Sequence, residues 1–296
     1  MRLSQIRDFV AVTDAGSITA AARLLGVSQP GLTKSIGTLE AELNVSLFRR
    51  SARGVSLTRF GQAFYARARA AHTELEKARE EVLQLAGGVS GRVAVGFGPL
   101  AATLLLPQAV LKFQTLYPEV EVRLLEGFAH ATMPLVRDQT LDMALGPRLP
   151  GYRDPALKFR PVFHNEQIIL GRKGHPLARS KTVSELSRAH WLSFEPRRVV
   201  DEVLSALGLP GPHQLMQCES LNVMVALLAD SDMLALASRR MLTLAGASGA
   251  LEEIVIAERI PPMTTGLYVV AETPLTRPAA AMARLLVEFG RRLPAT

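Results

Sequence analysis

At 296 residues the chain has room for two or three domains of the usual ~100–200 residues each. Hydrophobic residues make up 48% and charged residues 21%, a globular balance that excludes wholesale disorder, and the single cysteine, Cys218, excludes an internal disulfide or a cysteine zinc cluster. The net charge of +7 is unevenly placed: residues 1–88 carry 12 basic and 8 acidic side chains, and the 31 residues from Leu43 to Thr73 hold six arginines and no acid. Such a stretch is either a solvated helix face or a surface for a polyanion. The opening MRLSQIRDFVAV mixes charges among its apolar residues, unlike a signal peptide. No run approaches the roughly 18 apolar residues of a membrane span, so the expectation is a soluble chain in the cytoplasm.

In chain order, Leu3, Ile6, Phe9, Val10 and Thr13 recur at helical spacing and Ala15-Gly16 ends that helix. Ser17 caps a second helix over Ile18–Leu25, stopped by Gly26; Val27 is expected to pack inward. Ser28 caps a third helix with Pro30 in its first turn, buried along Leu32, Ile36, Leu39 and Leu43, with Asn44 at its end. Two helices joined by a tight glycine turn read as a helix-turn-helix. Short extended segments at Leu47-Phe48 and Val55–Thr58, with Ser51–Gly54 between them, read as a two-stranded wing with arginines at its tip. Arg59 to about Ala86 then forms one long helix. Its apolar positions Phe64, Ala68, Ala71, Leu75, Ala78, Val82 and Leu85 repeat every seven residues, which predicts a coiled-coil pair and hence a dimer. The alternative is an amphipathic helix docked on its own domain. Residues 87–91 read as a flexible linker.

Beyond the linker, strands at 92–96, 120–125 and 141–145 alternate with helices at 103–117 and 130–138, which predicts a mostly parallel α/β sheet. Further strands are expected at 167–171, 215–218, 233–237 and 266–271, and helices at 183–188, 199–207, 221–229, 238–244 and 278–293.

The run Ala20-Ala21-Ala22-Arg23-Leu24-Leu25, Val27-Ser28-Gln29-Pro30, Leu32-Thr33, Ile36, Leu39-Glu40, Leu43 and Leu47-Phe48-Arg49-Arg50, followed by Val55–Thr58 and Gly61, resembles the LysR-type transcriptional regulators. The resemblance implies an α/β protein with an N-terminal all-α winged helix-turn-helix (1–58), a long linker and dimerisation helix (59–88), and a two-lobed effector domain (89–296) similar to periplasmic binding proteins. Lobe 1 would take about 92–161 and 267–296, lobe 2 about 162–266. It further implies double-stranded DNA as partner, a small-molecule effector, a dimer through the linker helix that pairs into a tetramer, and RNA polymerase as a further candidate partner. The DNA contacts would come from Ser28, Gln29, Pro30, Thr33, Lys34, Arg49, Arg50, Arg53 and Thr58. The chemistry agrees: a helix N-terminus attracts phosphate, a glutamine amide pairs with adenine, and arginine suits phosphates and the minor groove. Gly31 and Gly37 inside the recognition helix depart from helix preference at about 1 kcal/mol each, and Asn44 stands where the family commonly has glycine.

An organic acid or aromatic metabolite would bind between the lobes at the strand C-termini, touching Gly98, Pro99, Leu100, Thr103, Phe128, Gly146, Pro147, Phe194, Glu195 and Asn222. Pro99-Leu100-Ala101 replaces the Ser or Thr common in the family at this helix start, which favours a partly apolar ligand. A rival signal is Gly96-Phe97-Gly98-Pro99-Leu100-Ala101, the outline of a dinucleotide fingerprint; it would make the chain an α/β enzyme or redox sensor fused to a DNA-binding module. A second rival is a constitutive DNA-binding protein with a vestigial cleft. The six histidines lack metal-ligand spacing, no GxSxG elbow is present, and Cys218 reads as a buried, inert thiol. No cofactor, metal, membrane contact or catalytic residue is expected.

Overall fold

The structure, a computed structural model, describes residues 1–51, 54–85, 91–149, 151–208, 211–244, 247 and 249–294. The chain forms two compact units, Met1–Ser90 with Arg137–Thr140, and Gly91–Val136 with Leu141–Thr296. Of the linker expected at 87–91, residues 87–90 lie outside the described residues and Gly91 opens a strand instead.

In the first unit, α1 (Leu3–Ala15), α2 (Ile18–Leu25) and α3 (Gln29–Leu43) are followed by β1 (Phe48–Ser51), β2 (Gly54–Leu57) and α4 (Arg59–Leu85). Each of the first three helices ends on a left-handed residue, Gly16, Gly26 and Asn44, which frees the last carbonyls for backbone caps. Asn44 adopts φ 54°, so it does the work of the family's glycine. The core gathers around Phe9, fully buried and surrounded by the rings of Phe48, Phe64 and Tyr65 at 5.1, 5.1 and 6.4 Å. One side chain thus ties α1 to the wing and to α4. Gly61 is required at the start of α4, because a Cβ there would lie 2.1 Å from the Leu47 carbonyl oxygen. Two residues depart from expectation: Val27 and Leu43 are exposed, and the buried stripe of α3 is Leu32, Ile36 and Leu39.

The second unit holds two five-stranded sheets. The first has the order β4 (Val120–Glu126), β3 (Gly91–Phe97), β5 (Met143–Pro147), β12 (Met263–Val270), β6 (Leu157–Asn165). The second has the order β11 (Leu251–Ile254), β7 (Gln167–Arg172), β10 (Met233–Ser238), β8 (His190–Ser193), β9 (Gln214–Gln217). Each is half parallel and half antiparallel: β3 runs parallel to β4 and β5, β8 parallel to β9 and β10, while β12, β7 and β11 pair antiparallel. The expectation of mostly parallel sheets fails because the chain changes sheets. β6 runs almost straight into β7, and β12 returns to the first sheet against that direction. Helices α5 (Pro99–Leu104), α6 (Leu106–Leu116), α7 (Ala129–Arg137) and α10 (Arg277–Arg291) cover the first sheet, and α8 (Arg197–Ala206) and α9 (Leu221–Ala229) the second.

The helix expected at 103–117 begins earlier and is broken at Leu105 (φ −141°), where Pro107 in the next turn cannot continue the hydrogen-bond ladder. The helices expected at 183–188 and 238–244 are short 3-10 turns, Val183–Leu186 and Arg239–Thr243. Strands β6, β8 and β11 carry no sequence signal strong enough to be read. β6 contains Pro161, tolerated because it is an edge strand whose register shifts at Thr265/Gly266. β8 and β11 are only four residues long.

Candidate DNA-binding face and ligand cleft

The wing is a β1–β2 hairpin pairing Arg49 with Ser56 and Arg50 with Val55. It is anchored by Glu40, whose Oε1 accepts the N–H groups of Leu47 (2.6 Å) and Phe48 (3.0 Å). Asp8, buried in α1, accepts from the Ser35 hydroxyl at 2.6 Å and fixes α3 against α1. Held this way, α3 presents Gln29, Pro30, Lys34 and Gly37 as exposed residues and Thr33 as half-buried, with Arg49 exposed beside them in the chain's next element. Ser28 is spent on the helix itself, its Oγ accepting the Gly31 N–H at 3.2 Å. Thr58 is likewise engaged: its hydroxyl donates to the Ser46 carbonyl at 2.7 Å and accepts the Gly61 N–H at 3.1 Å. Arg53 lies outside the described residues.

The arginine run divides by partner. Arg69 pairs with Asp14 at 2.6 Å, and Tyr65 donates to the same carboxylate, tying α4 to α1. Burial, then the Asp14 hydrogen bond, raises the Tyr65 pKa. Arg59 covers the Phe60 ring at 4.6 Å, and Arg67 is exposed. The heptad stripe also divides. Ala68 is buried and Phe64 packs with it in the first unit's core, whereas Ala71, Leu75, Ala78 and Val82 are exposed, Leu75 by 43% and Val82 by 64%. The docked-helix reading therefore holds for the first half of the helix, and the apolar stripe of the second half is left exposed.

In the second unit the cleft follows from topology. The strand order reverses on either side of β3 in one sheet and β8 in the other, and ligands bind at the C-terminal ends of strands at such switch points. Gly98-Pro99 follows β3 and Phe194-Glu195 follows β8. A cavity of about 120 Å³ lies between these ends. Eight residues expected to touch a ligand line it: Gly98, Pro99, Leu100, Phe128, Gly146, Pro147, Phe194 and Glu195. Thr103 and Asn222 do not line it; the Thr103 hydroxyl turns back to the Leu100 carbonyl at 3.1 Å, and Leu221 lines the cavity in place of its neighbour. Phe128 and Phe194 stack across the cleft with centroids 5.3 Å apart and planes at 28°. His130 Nε2 lies 3.3 Å from Glu219, also bridging the two sheets. Burial raises the Glu195 pKa, and the nearby His130 lowers it by less. Tyr268 donates to the Pro147 carbonyl at 2.9 Å, and burial pushes its pKa up to about 12.

Sequence reasoning missed the floor of this cleft. Asn165, 2% exposed, donates to Thr265 at 2.9 Å and accepts from Ser238 at 3.4 Å, and Gln167, Met241 and Met263 lie beside them. Asn165, Gln167, Met263 and Thr265 come from the strands where the chain changes sheets, Ser238 and Met241 from the end of β10 and the turn after it, and β6 carries no signal in the sequence. On the other side of the same strands, by alternation, His164, Glu166 and Arg239 line a wider groove of about 650 Å³. There Arg239 joins Glu166 (2.6 Å) to Glu253 (2.8 Å). That pairing clamps the crossover between the sheets. Glu253 is thus a structural partner of Arg239.

The dinucleotide outline has a packing explanation. A Cβ at Gly96 would lie 2.8 Å from Leu141 Cδ1 and 3.1 Å from Thr132, so the glycine admits α7. Cys218 is half-buried in the loop after β9 with its thiol toward the Ser220 carbonyl, not within a strand as expected. Among the described residues no group of three His, Cys, Asp or Glu could hold a metal ion, and no helix is long and apolar enough to cross a membrane.

A winged helix-turn-helix with a long helix, followed by two sheets around a cleft, defines a DNA-binding protein that carries its own ligand-binding module. The family model for the lysR-family bacterial regulatory helix-turn-helix matches residues 3–62, and that for the LysR substrate binding domain matches residues 86–291. The transcriptional regulator GalR of Pseudomonas putida is 29% identical over 86% of this chain and 65% of its own length, so the chain spans just under two thirds of that relative. The SDS degradation transcriptional activation protein of a Pseudomonas species is 28% identical over 99% of this chain and 97% of its own. In fold, a full-length OxyR variant from Pseudomonas aeruginosa matches with a TM-score of 0.74 at 22% identity, covering 99% of this chain and 95% of that one. Full-length CbnR in complex with its target DNA matches at 0.64 and 20% identity, with 99% of each chain covered. The chain belongs to the LysR family: it is a DNA-binding transcription regulator with a substrate-binding domain, and its relatives are regulators, not enzymes.

Proposed function

We propose that this regulator reads duplex DNA through α3 and the wing, works as a homodimer joined along α4 and paired into a tetramer, and is switched by a small molecule in the cleft between its two sheets. The observation that carries the reading is the division of α4: a half that packs into the DNA-binding unit and a half whose apolar stripe is left for a partner. In this arrangement Gln29 reaches a base edge from the start of α3, Thr33 and Lys34 follow one turn on, and Arg49, Arg50 and Arg53 serve phosphates and the minor groove. Ser28 and Thr58 act indirectly, as the caps that set the angle of α3 and of α4. Residues 1–58 form the DNA-binding domain, 59–88 the dimerisation helix and 89–296 the effector domain, and the change of sheet falls at 165–167 and 254–263 rather than at 161 and 267.

The protein performs no chemistry of its own; Phe128, Phe194, Glu195 and the Asn165–Thr265 pair bind and orient. Ligand binding biases the relation of the two sheets, and through it the spacing of paired recognition helices, by its differential affinity for two arrangements. Its place of action is where chromosomal DNA lies, the cytoplasm, and RNA polymerase at the promoter is the further partner.

The test is binding to promoter fragments over a salt series. Gln29→Ala costs about 1–3 kcal/mol and relaxes discrimination at one base position, while Arg53→Ala weakens all sequences alike and reduces the salt slope by about 1. Unchanged specificity and slope in both variants would refute the assignment of this face.

A further inference from the structure

Resting on the reading of the cleft as the effector site, the composition of its walls says which ligand it fits. Among the described residues lining the cavity there is no lysine or arginine, and the single charged group is Glu195. That residue is half-buried; its backbone N–H is held by the Ser193 hydroxyl at 2.9 Å, and among the described residues no hydrogen bond reaches its side-chain oxygens. The His130 ring, which stands nearby, faces Glu219 at 3.3 Å. The helix start at Pro99 offers an anion fewer donors than a helix start ordinarily does. Pro99 has no N–H, and those of Ala101 and Ala102 both go to the Gly98 carbonyl, at 3.1 and 3.2 Å. The remaining polar groups of the floor, Asn165, Thr265 and Ser238, are neutral and bonded to one another. Beside Glu195 stands the stacked pair Phe128 and Phe194. The free space, about 120 Å³, is the scale of a single aromatic ring, since an apolar cavity of roughly 150 Å³ holds benzene.

We infer that the cleft takes a single-ring aromatic amine, its ring against Phe128 and Phe194 and its ammonium on Glu195, and that it rejects the corresponding carboxylate. An ammonium gives the unpaired carboxylate a charge-assisted hydrogen bond and can lie over a phenylalanine face. A carboxylate in the same place meets the like charge of Glu195, with no lysine or arginine among the described lining residues to offset it. An organic acid, one of the two classes expected from the sequence, is therefore excluded in favour of the aromatic class, with its charge reversed.

The experiment is calorimetric titration of the full chain at neutral pH with three probes of similar shape: 2-phenylethylamine, 2-phenylethanol and phenylacetate. The amine binds tightest and the acid weakest, with a difference of about tenfold or more, the size expected for replacing attraction by repulsion at a partly buried charge. Glu195→Gln brings the amine and the acid to within about threefold of each other, and Glu195→Lys reverses their order; melting of the unliganded variants shows that they are folded. A wild-type chain that binds phenylacetate more tightly than the amine, or fails to bind the amine, overturns the assignment, as does an amine-over-acid ratio that survives Glu195→Gln. The cleft itself is tested separately with Gly146→Leu, which fills the cavity from a position where a Cβ meets nothing within 4 Å. Loss of probe binding there places the probe in the cleft; retention overturns both the cleft as effector site and the assignment built on it.

Discussion

At the scale of single residues, function is visible where stability is given up. Gly37 sits mid-helix in α3, exposed, with open space where a Cβ would be, so nothing inside the protein requires it. It lies one turn beyond Thr33 and two beyond Gln29 on the same stripe, which fits a close approach of the helix backbone to DNA. Gly37→Ala is expected to stabilise the first unit by about 1 kcal/mol while weakening operator binding; chemical denaturation and a binding isotherm on the same variant check both halves. Gly31 differs, because a Cβ there would lie 2.9 Å from the Ser28 hydroxyl that caps the helix. Glu195 is the second case. Its pKa is raised by burial, so folding favours its protonated form relative to the unfolded chain. Its contribution is most favourable below the ordinary carboxylate pKa and is lost as pH rises through the raised value. Glu195→Gln is therefore expected to raise Tm at neutral pH, with the gain vanishing as pH falls toward 4. A gain independent of pH would mean that packing, not charge, is responsible.

At the scale of elements, α4 shows how far periodicity can be trusted. A seven-residue repeat says that one stripe is apolar but not what covers it. The structure assigns Phe64 and Ala68 to the protein's own core and leaves Ala71, Leu75, Ala78 and Val82 exposed. Leu75→Lys and Val82→Lys together are expected to lower the self-association of the full chain by at least about tenfold without lowering the helix content of the monomer. Sedimentation as a function of concentration measures the first and circular dichroism the second. The wing was legible because its turn and its strands are local. β6 and β11 were not, because they are edge strands whose pairing depends on distant partners: β6 pairs with β12 about a hundred residues on, Asn165 opposite Met263. A proline in such a strand costs little at the edge and hides it from any local reading.

For the whole molecule, the two units have separate hydrophobic cores, each large enough to unfold as a body. Two calorimetric transitions are expected. Phe9→Ala removes the ring that touches Phe48, Phe64 and Tyr65 and should cost about 3–5 kcal/mol in one transition, leaving the other in place. A single transition displaced as a whole would show that the units unfold together. Within the second unit, the two crossings of the chain between sheets carry on one face the cleft floor and on the other the Arg239 clamp to Glu166 and Glu253. A change in the angle between the sheets must therefore alter both.

The sequence by itself determined the DNA-binding module, its capped helices and glycine turns, because those signals act between residues a few positions apart. It also determined the order of most strands and helices beyond, and eight of the cleft residues, because ligands gather at strand C-termini whatever the details. Only the tertiary structure decided the character of the cleft. Its floor is drawn from segments far apart in the chain, and strand alternation sends Asn165 into it while turning His164 and Glu166 away. Whether the pocket holds a cation, an anion or neither depends on that one choice of face, which no local pattern specifies.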